Sequence, residues 1–201
     1  LMQPYVFNPD LASASTLPAD WYLGEEAHRL DLARIFGRTW QFVGHTDQLA
    51  RPGDYLTTML GQEPVVLVRT ESGELRAFSN VCRHRAGAVA LGSGNRKRFQ
   101  CQYHGWVYDH EGCLVKAPEF EGVGGFDLGA CRQPAFRVAT WGSWIFANAG
   151  AEGPELTEWL GSIPQETAAR GLDRMRPYRT HDFHVACNWK VYVDNYLEGY
   201  H

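Results

Sequence analysis

The sequence lacks the features that mark membrane proteins, nucleic-acid-binding proteins and secreted proteins. It contains no run of about 18 or more apolar residues, and its one basic block is Arg96-Lys97-Arg98. The formal net charge of -4 gives no broad positive surface for phosphate groups. Residues 1–10 lack the charged and apolar regions of a signal peptide. We therefore expect no nucleic acid partner, no membrane partner and a cytoplasmic location.

Cysteine is also scarce, with 5 residues among 201, which is an odd number in a chain too long to resemble a disulfide scaffold. Hydrophobic residues make up 44% of the chain and charged residues 21%, which is typical of a globular protein. A chain of this length buries roughly 70% of its unfolded surface without crosslinks. Any metal-binding residues in this chain are therefore expected to serve chemistry and not to hold the fold together.

The hydrophobic pattern predicts an α+β fold. Apolar residues recur every three or four positions over residues 25–40, which predicts one amphipathic helix. Short segments rich in β-branched and aromatic residues predict antiparallel strands joined by tight turns, at 55–60, 64–70, 75–79, 136–140 and 144–148. Residues 154–170 carry two short helical patterns, residues 181–187 favour a strand, and residues 188–201 predict a helix.

Two pairs of residue types that bind metals stand at short spacings. Cys82-Arg83-His84 is the first pair, and Cys101-Gln102-Tyr103-His104 is the second. Two thiols and two imidazoles are enough ligands for a metal centre. A structural zinc site is an alternative, although such sites prefer two to four residues between the first two ligands, and Arg83 alone separates Cys82 from His84.

These segments, C-R-H-R-A-G and C-Q-Y-H-G-W, resemble the Rieske motif of the large subunits of Rieske non-haem iron oxygenases. The resemblance runs from about residue 21 to residue 201. It implies that Cys82 and Cys101 hold one iron of a [2Fe-2S] cluster and that His84 and His104 hold the other.

The resemblance also implies a domain organisation. Residues 1–40 would be an N-terminal helical segment of the catalytic domain, and residues 41–150 a small antiparallel β Rieske domain. Residues 151–201 would be a linker and the truncated start of an α+β catalytic domain.

Respiratory-type Rieske proteins carry an extra cysteine in each motif and a serine that hydrogen-bonds a sulfur. Here Ala88 follows Gly87, Tyr103 precedes His104, and Trp106 follows Gly105. The resemblance therefore implies few hydrogen bonds to the sulfurs and a low reduction potential, as suits an electron donor for oxygen chemistry.

A second motif begins at Asn188-Trp189-Lys190 and contains Asp194, Glu198 and His201. In a helix, these last three residues, at i, i+4 and i+7, would share one face, which could be either a solvated acidic face or a functional one.

The second motif is similar to the segment that opens the catalytic domain of the same oxygenases. The resemblance implies that His201 is the first ligand of a mononuclear Fe(II) held by two His and one carboxylate, with the other ligands outside this chain. It implies that Glu198 bridges a Rieske histidine of one subunit to an iron-binding histidine of its neighbour. Asp194 belongs to the same catalytic segment.

Glu at position 198 and the segment E-F-E-G-V at 119–123 look most like the branch that acts on quaternary ammonium compounds such as choline, betaines and carnitine. The implied function is a terminal oxygenase that takes electrons from NADH or NADPH through a reductase or ferredoxin, uses O2, and hydroxylates or N-demethylates a small-molecule substrate. Electron transfer between neighbouring subunits implies a homotrimer. Two alternatives stay open: a dioxygenase that hydroxylates aromatic rings, and a stand-alone Rieske electron carrier or fragment.

Overall fold

The computed structural model describes residues 2–199, apart from the side chain of Asp173. The chain forms two compact units, which we call the helical unit (Leu1–Ile35 with Arg179–His201) and the sheet unit (Phe36–Tyr178). Over the described residues, no helix combines the length and apolar character that crossing a membrane requires. The functional domains expected at 1–40, 41–150 and 151–201 stay predictions, since compactness alone does not assign function.

The sheet unit is dominated by antiparallel strands, and this confirms the predicted α+β fold class. The strands are β1 (Gln41–His45), β2 (Asp54–Leu60), β3 (Glu63–Arg69), β4 (Leu75–Ser79), β5 (Ser93–Asn95), β6 (Phe99–Gln100), β7 (Val107–Tyr108), β8 (Leu114–Lys116), β9 (Ala135–Trp141) and β10 (Trp144–Asn148). Seven of them form one sheet in the order β1-β10-β9-β4-β3-β2-β5, and β6-β7-β8 form a second sheet. The five predicted strands correspond to β2, β3, β4, β9 and β10.

Strand β3 separates two apolar cores because neighbouring residues of a strand point to opposite faces. Val66 and Val68 lie in the core that also contains Cys82 and Cys101, which we call the ligand-side core. Val65 and Leu67, which alternate with them, lie in the core on the other face. All four β3 residues, 65–68, are fully buried, so both cores rest on the same strand.

The helices are short. They are α1 (Asp20–Leu23), α2 (Glu25–Asp31), a π-helical turn (Leu32–Phe36), α3 (Leu156–Leu160), α4 (Ile163–Thr167) and α5 (Trp189–Leu197). Four 3-10 turns complete them: Thr46–Leu49, Gly129–Cys131, Ala168–Arg170 and Leu172–Arg174. Segments α3, α4 and Ala168–Arg170 match the helical patterns predicted over 154–170.

The prediction of a single helix over residues 25–40 is wrong about where the helix ends. Helical structure stops at Phe36, immediately before Gly37, a residue type that disfavours the helical interior. Trp40 is buried in the sheet unit instead, where its indole N–H donates to the Pro154 carbonyl at 3.1 Å.

Two predictions in the C-terminal part also need correction. Residues 181–187 are exposed and form no strand, since no described strand pairs with them. Helix α5 is present but ends at Leu197, where Glu198 adopts an extended conformation with ψ of 116°. Asp194 and Glu198 therefore do not share a helical face as predicted, and His201 lies outside the described residues.

Candidate metal centre

The first Cys/His pair lies in a tight loop between β4 and β5. The Cys82 N–H donates to the Gly87 carbonyl at 2.8 Å, and the Ala86 N–H donates to the Cys82 carbonyl at 3.0 Å. Ala86 has φ of 54°, in the left-handed region that costs a non-glycine residue roughly 1–2 kcal/mol. Residues 82–87 thus form a closed frame with Cys82 at its first position and His84 at its third.

The second pair lies in a loop with the same hydrogen-bonding pattern, between β6 and β7. The Cys101 N–H donates to the Trp106 carbonyl at 2.8 Å, and the Gly105 N–H donates to the Cys101 carbonyl at 2.9 Å. Gly105 has φ of 74°, at the position equivalent to Ala86. The two loops share one backbone frame, but His104 occupies the fourth position of its loop.

The two loops approach each other at Gly87. A Cβ atom on Gly87 would lie 3.1 Å from Cys101 Sγ, so glycine permits the close contact. Besides burial, the closeness of Cys82 raises the pKa of the Cys101 thiol, and the ring centroids of His84 and His104 are 4.6 Å apart. The structure therefore brings together all four residues that the sequence predicts as ligands.

The thiols and imidazoles differ in exposure. Cys82 and Cys101 are 3% and 2% exposed within the ligand-side core. His84 is half-buried and His104 is exposed. The site therefore has an inner thiol side and an outer imidazole side.

The electrostatics of the site suit metal binding. Burial, followed by the charges of His104 and Arg85, lowers the pKa of His84 and favours the neutral imidazole that binds metals. His84 Nδ1 is buried and has no hydrogen-bond partner among the described residues. Burial also raises the pKa of the Cys101 thiol, so a thiolate there needs a compensating positive charge such as a metal ion.

Aromatic rings cover the His84 side of the site. The Trp106 ring stacks on the His84 imidazole at a centroid distance of 4.9 Å and an interplanar angle of 10°. Phe120 packs edge-on against both, with centroids 6.0 Å from His84 and 5.4 Å from Trp106. Such an apolar cover limits water access to a metal centre and influences its potential.

Tyr108 is a functional candidate that the sequence reasoning missed. Its hydroxyl oxygen lies 3.3 Å from Cys82 Sγ and accepts the Arg83 N–H at 3.1 Å. Burial, followed by the contact with Cys82, raises the pKa of Tyr108, so the hydroxyl keeps its proton and can donate a hydrogen bond to a thiolate. The available sequence signal was its place on a strand directly after the second motif. The expectation of few hydrogen bonds to sulfur therefore overlooked a donor.

The residues of the second motif lie in the helical unit. Asp194 Oδ2 accepts a hydrogen bond from the Tyr22 hydroxyl at 2.6 Å. Glu198 is exposed and follows the last residue of α5, Leu197. His201 lies outside the described residues.

Asp31 is a second residue that the sequence reasoning missed. It is 9% exposed and accepts hydrogen bonds from the Trp189 indole N–H at 3.0 Å and from the Lys190 ammonium. One sequence signal was available, because Asp31 stands four residues after Ala27 and shares its buried helix face.

No group of three or more His, Cys, Asp or Glu side chains surrounds a single metal position within residues 2–199. A structural zinc site needs four donors around one ion. A Rieske centre needs only two protein ligands for each iron, which matches paired thiols and paired imidazoles.

Comparison with known proteins agrees with this geometry. Residues 39–127 match the family model of the Rieske [2Fe-2S] domain, and residues 172–201 match that of the ring hydroxylating alpha subunit catalytic domain. Choline monooxygenase of Arabidopsis thaliana is 38% identical to this chain, over 95% of this chain and 48% of that enzyme. The chain therefore carries a Rieske [2Fe-2S] domain followed by part of a ring hydroxylating alpha subunit catalytic domain.

The chain is also similar to parts of two kinds of enzyme. It is similar to the structure of the quaternary ammonium Rieske monooxygenase CntA with L-carnitine, with a TM-score of 0.88 and 29% identity over 94% of this chain and 54% of that chain. It is 36% identical to the chlorobenzene dioxygenase alpha subunit of Cupriavidus sp. (strain PS12), over 90% of this chain and 42% of that subunit. The chain spans about half the length of the curated relatives it matches, with 48% for the Arabidopsis enzyme.

The residues present fit a [2Fe-2S] cluster. The unpartnered Nδ1 atom of His84, the two buried thiols and the glycine contact at Gly87 are the observations that support this fit. The predicted cofactors, which are this cluster, mononuclear iron, O2 and NADH or NADPH through a reductase, are those of the Rieske oxygenases. Because His201 is outside the described residues, no fit is derived for the mononuclear iron.

Proposed function

We propose that this chain is part of the terminal oxygenase component of a multicomponent system that oxidises a quaternary ammonium compound. The observation that carries the proposal is the pair of matched loops at Cys82 and Cys101, in a chain similar over almost its whole length to choline monooxygenase and CntA. The electron donor is a reductase or ferredoxin.

The four loop residues have distinct roles in this proposal. Cys82 and Cys101 hold the inner iron, and His84 and His104 hold the outer iron. When bound, the cluster supplies one-electron storage, and the mononuclear Fe(II) supplies the site of O2 activation. The Tyr108 hydroxyl donates to Cys82 Sγ and stabilises negative charge there, while Trp106 excludes water from His84.

Glu198 has the role of a connector between subunits. Its exposed carboxylate can accept one hydrogen bond from an exposed Rieske histidine, such as His104, of a neighbouring copy. It can accept a second from an iron-binding histidine on its own subunit. Such contacts would fix the tautomers of both imidazoles. Since each subunit then depends on its neighbour, a closed homotrimer satisfies every site.

The proposed reaction is oxidative N-demethylation. One oxygen atom of O2 is inserted into a C–H bond of an N-methyl group, and two electrons and two protons reduce the other atom to water. The resulting hemiaminal breaks its C–N bond, releasing formaldehyde and a proton and leaving a tertiary amine.

The test is product analysis with purified protein, a reductase, NADH and a panel of choline, betaines, carnitine and arenes. We expect formaldehyde and a tertiary amine from a quaternary ammonium substrate, in proportion to the NADH consumed. The Glu198→Gln variant should retain the visible spectrum of the cluster and lose coupled turnover. Normal product formation by that variant would exclude the connector role.

Ring hydroxylation of an aromatic substrate is the second candidate, and the similarity to the chlorobenzene dioxygenase alpha subunit favours it. The same panel separates the two functions. Formation of a cis-dihydrodiol from an arene, without formaldehyde from any quaternary amine, would replace our proposal with this one.

A further inference from the structure

Helix α5 precedes Glu198 directly, yet none of its nine residues is buried within the described structure. Helices shorter than about 12–15 residues are marginally stable by themselves in water. The Asn188 side chain caps the start of α5 by accepting the Lys190 N–H at 3.0 Å. A cap favours helix formation but does not determine where the helix lies. The position of α5 therefore depends on contacts with residues outside the helix.

The first such contact joins the start of α5 to α2. The Asp31 carboxylate, 9% exposed, accepts from both Trp189 and Lys190, the first two residues of α5. The Lys190 ammonium also lies 5.4 Å from the centroid of the Trp189 ring. Because a buried carboxylate is costly to leave without partners, Asp31 strongly favours the arrangement that keeps both donors in place.

The second contact joins the last turn of α5 to α1. The Tyr22 hydroxyl donates to Asp194 Oδ2 at 2.6 Å. This hydrogen bond, followed by burial, raises the pKa of Tyr22 to about 12, so the hydroxyl remains protonated near neutral pH. The carbonyl of Asp194 in turn accepts the Glu198 N–H at 3.0 Å. Tyr22 is thus linked through one residue to the backbone of Glu198.

We propose that Tyr22 and Asp31 are positioning residues that fix the two ends of α5 and so place the Glu198 carboxylate for electron transfer between subunits. The placement of Glu198 for electron transfer rests on the proposed function of this residue. The fixing of α5 can be measured without any turnover.

Hydrogen–deuterium exchange of the cluster-loaded protein tests the proposal. The variants are Tyr22→Phe, which removes one hydroxyl, and Asp31→Asn, which removes the charge that faces Lys190. Tyr5→Phe is the matched control in the same unit, because the Tyr5 hydroxyl donates to the Ser15 carbonyl at 3.0 Å and not to a residue of α5. A second measurement is the amount of product formed for each O2 consumed.

Loss of one hydrogen bond should raise amide exchange in residues 193–198 of Tyr22→Phe about fivefold. Asp31→Asn should raise exchange over residues 190–198, and both variants should form less product for each O2. Exchange in loops 82–87 and 101–106 should be unchanged, and Tyr5→Phe should match the parent protein. Parent-like exchange of α5 in Tyr22→Phe, or an equal rise in the two loops, would overturn the proposal. Absence of product from the parent would instead contradict the proposed function and leave the exchange result valid.

Discussion

In the sheet unit, Cys82 and Cys101 lie within an apolar core at 3% and 2% exposure, whereas in the helical unit no residue of α5 is buried. The candidate ligand loops are each closed by two backbone hydrogen bonds. The helix before Glu198 is tied by side-chain contacts to Tyr22 and Asp31. The proposed electron-storage site is therefore built on a buried core, while the proposed connector depends on a few polar contacts.

The largest expected effect tests whether cluster binding in the sheet unit requires the buried thiol of Cys101. Cys101→Ala should lose the cluster, because one iron would keep only one protein ligand. Iron and acid-labile sulfide assays should fall to near zero. Cys187, which is exposed, offers the control, and Cys187→Ala should retain full iron content. Full iron content in Cys101→Ala would remove the assignment of this residue as a ligand.

The second prediction compares one leucine from each unit. Leu67 is fully buried on β3, so Leu67→Ala should lower the free energy of unfolding by about 2–5 kcal/mol. Leu197 is 75% exposed at the end of α5, so Leu197→Ala should change it by less than about 0.5 kcal/mol. Denaturant titration measures both. Equal losses would mean that the two units do not differ in packing as the structure indicates.

The third prediction concerns the Tyr108 hydroxyl. Tyr108→Phe should lower the reduction potential, because a hydrogen bond to sulfur stabilises the more negative reduced state. A difference of about 1 kcal/mol corresponds to roughly 40 mV for a one-electron couple. Spectroelectrochemistry measures the shift, and Tyr103→Phe, on an exposed ring, is the control that should stay near the parent value. An unchanged potential in Tyr108→Phe would show that the hydroxyl does not act on the sulfur.

The smallest effects come from the equivalent positions in the two loops. Ala86→Gly should stabilise the protein by about 0.5–1 kcal/mol, because glycine adopts positive φ without the steric cost that alanine has. Gly105→Ala should destabilise it by about 1 kcal/mol for the same reason, since its Cβ would be 3.4 Å or more from its neighbours. Thermal unfolding should show opposite signs. The same sign in both variants would contradict the shared backbone frame.

The sequence predicted the longer strands and the candidate ligand pairs that the structure brings together because the relevant information is local. The spacing of Cys82 and His84 within one loop, and of Cys101 and His104 within another, is visible without any knowledge of the fold. Strands such as β3 are long enough to show β-branched composition. Strands β6 and β7 are too short, at two residues each, to carry a periodic pattern.

The contacts that determine the position of α5 could not be predicted in this way. Tyr22 and Asp194 are 172 positions apart, and Asp31 and Trp189 are 158 positions apart. Nothing in the local pattern pairs such residues. The end of α5 was also missed, because continuous spacing from Asp194 to His201 takes no account of the extended backbone at Glu198.

The shared frame of the two loops has a consequence for spectroscopy. Histidine occupies the third position in one loop and the fourth in the other. The two imidazoles therefore have different surroundings although the backbones of their loops correspond. One stacks on Trp106, and the other is exposed and stacks on Tyr103. The two loops thus share a hydrogen-bonding pattern but not the surroundings of their imidazoles, and a magnetic probe of the reduced centre should resolve two inequivalent nitrogen ligands.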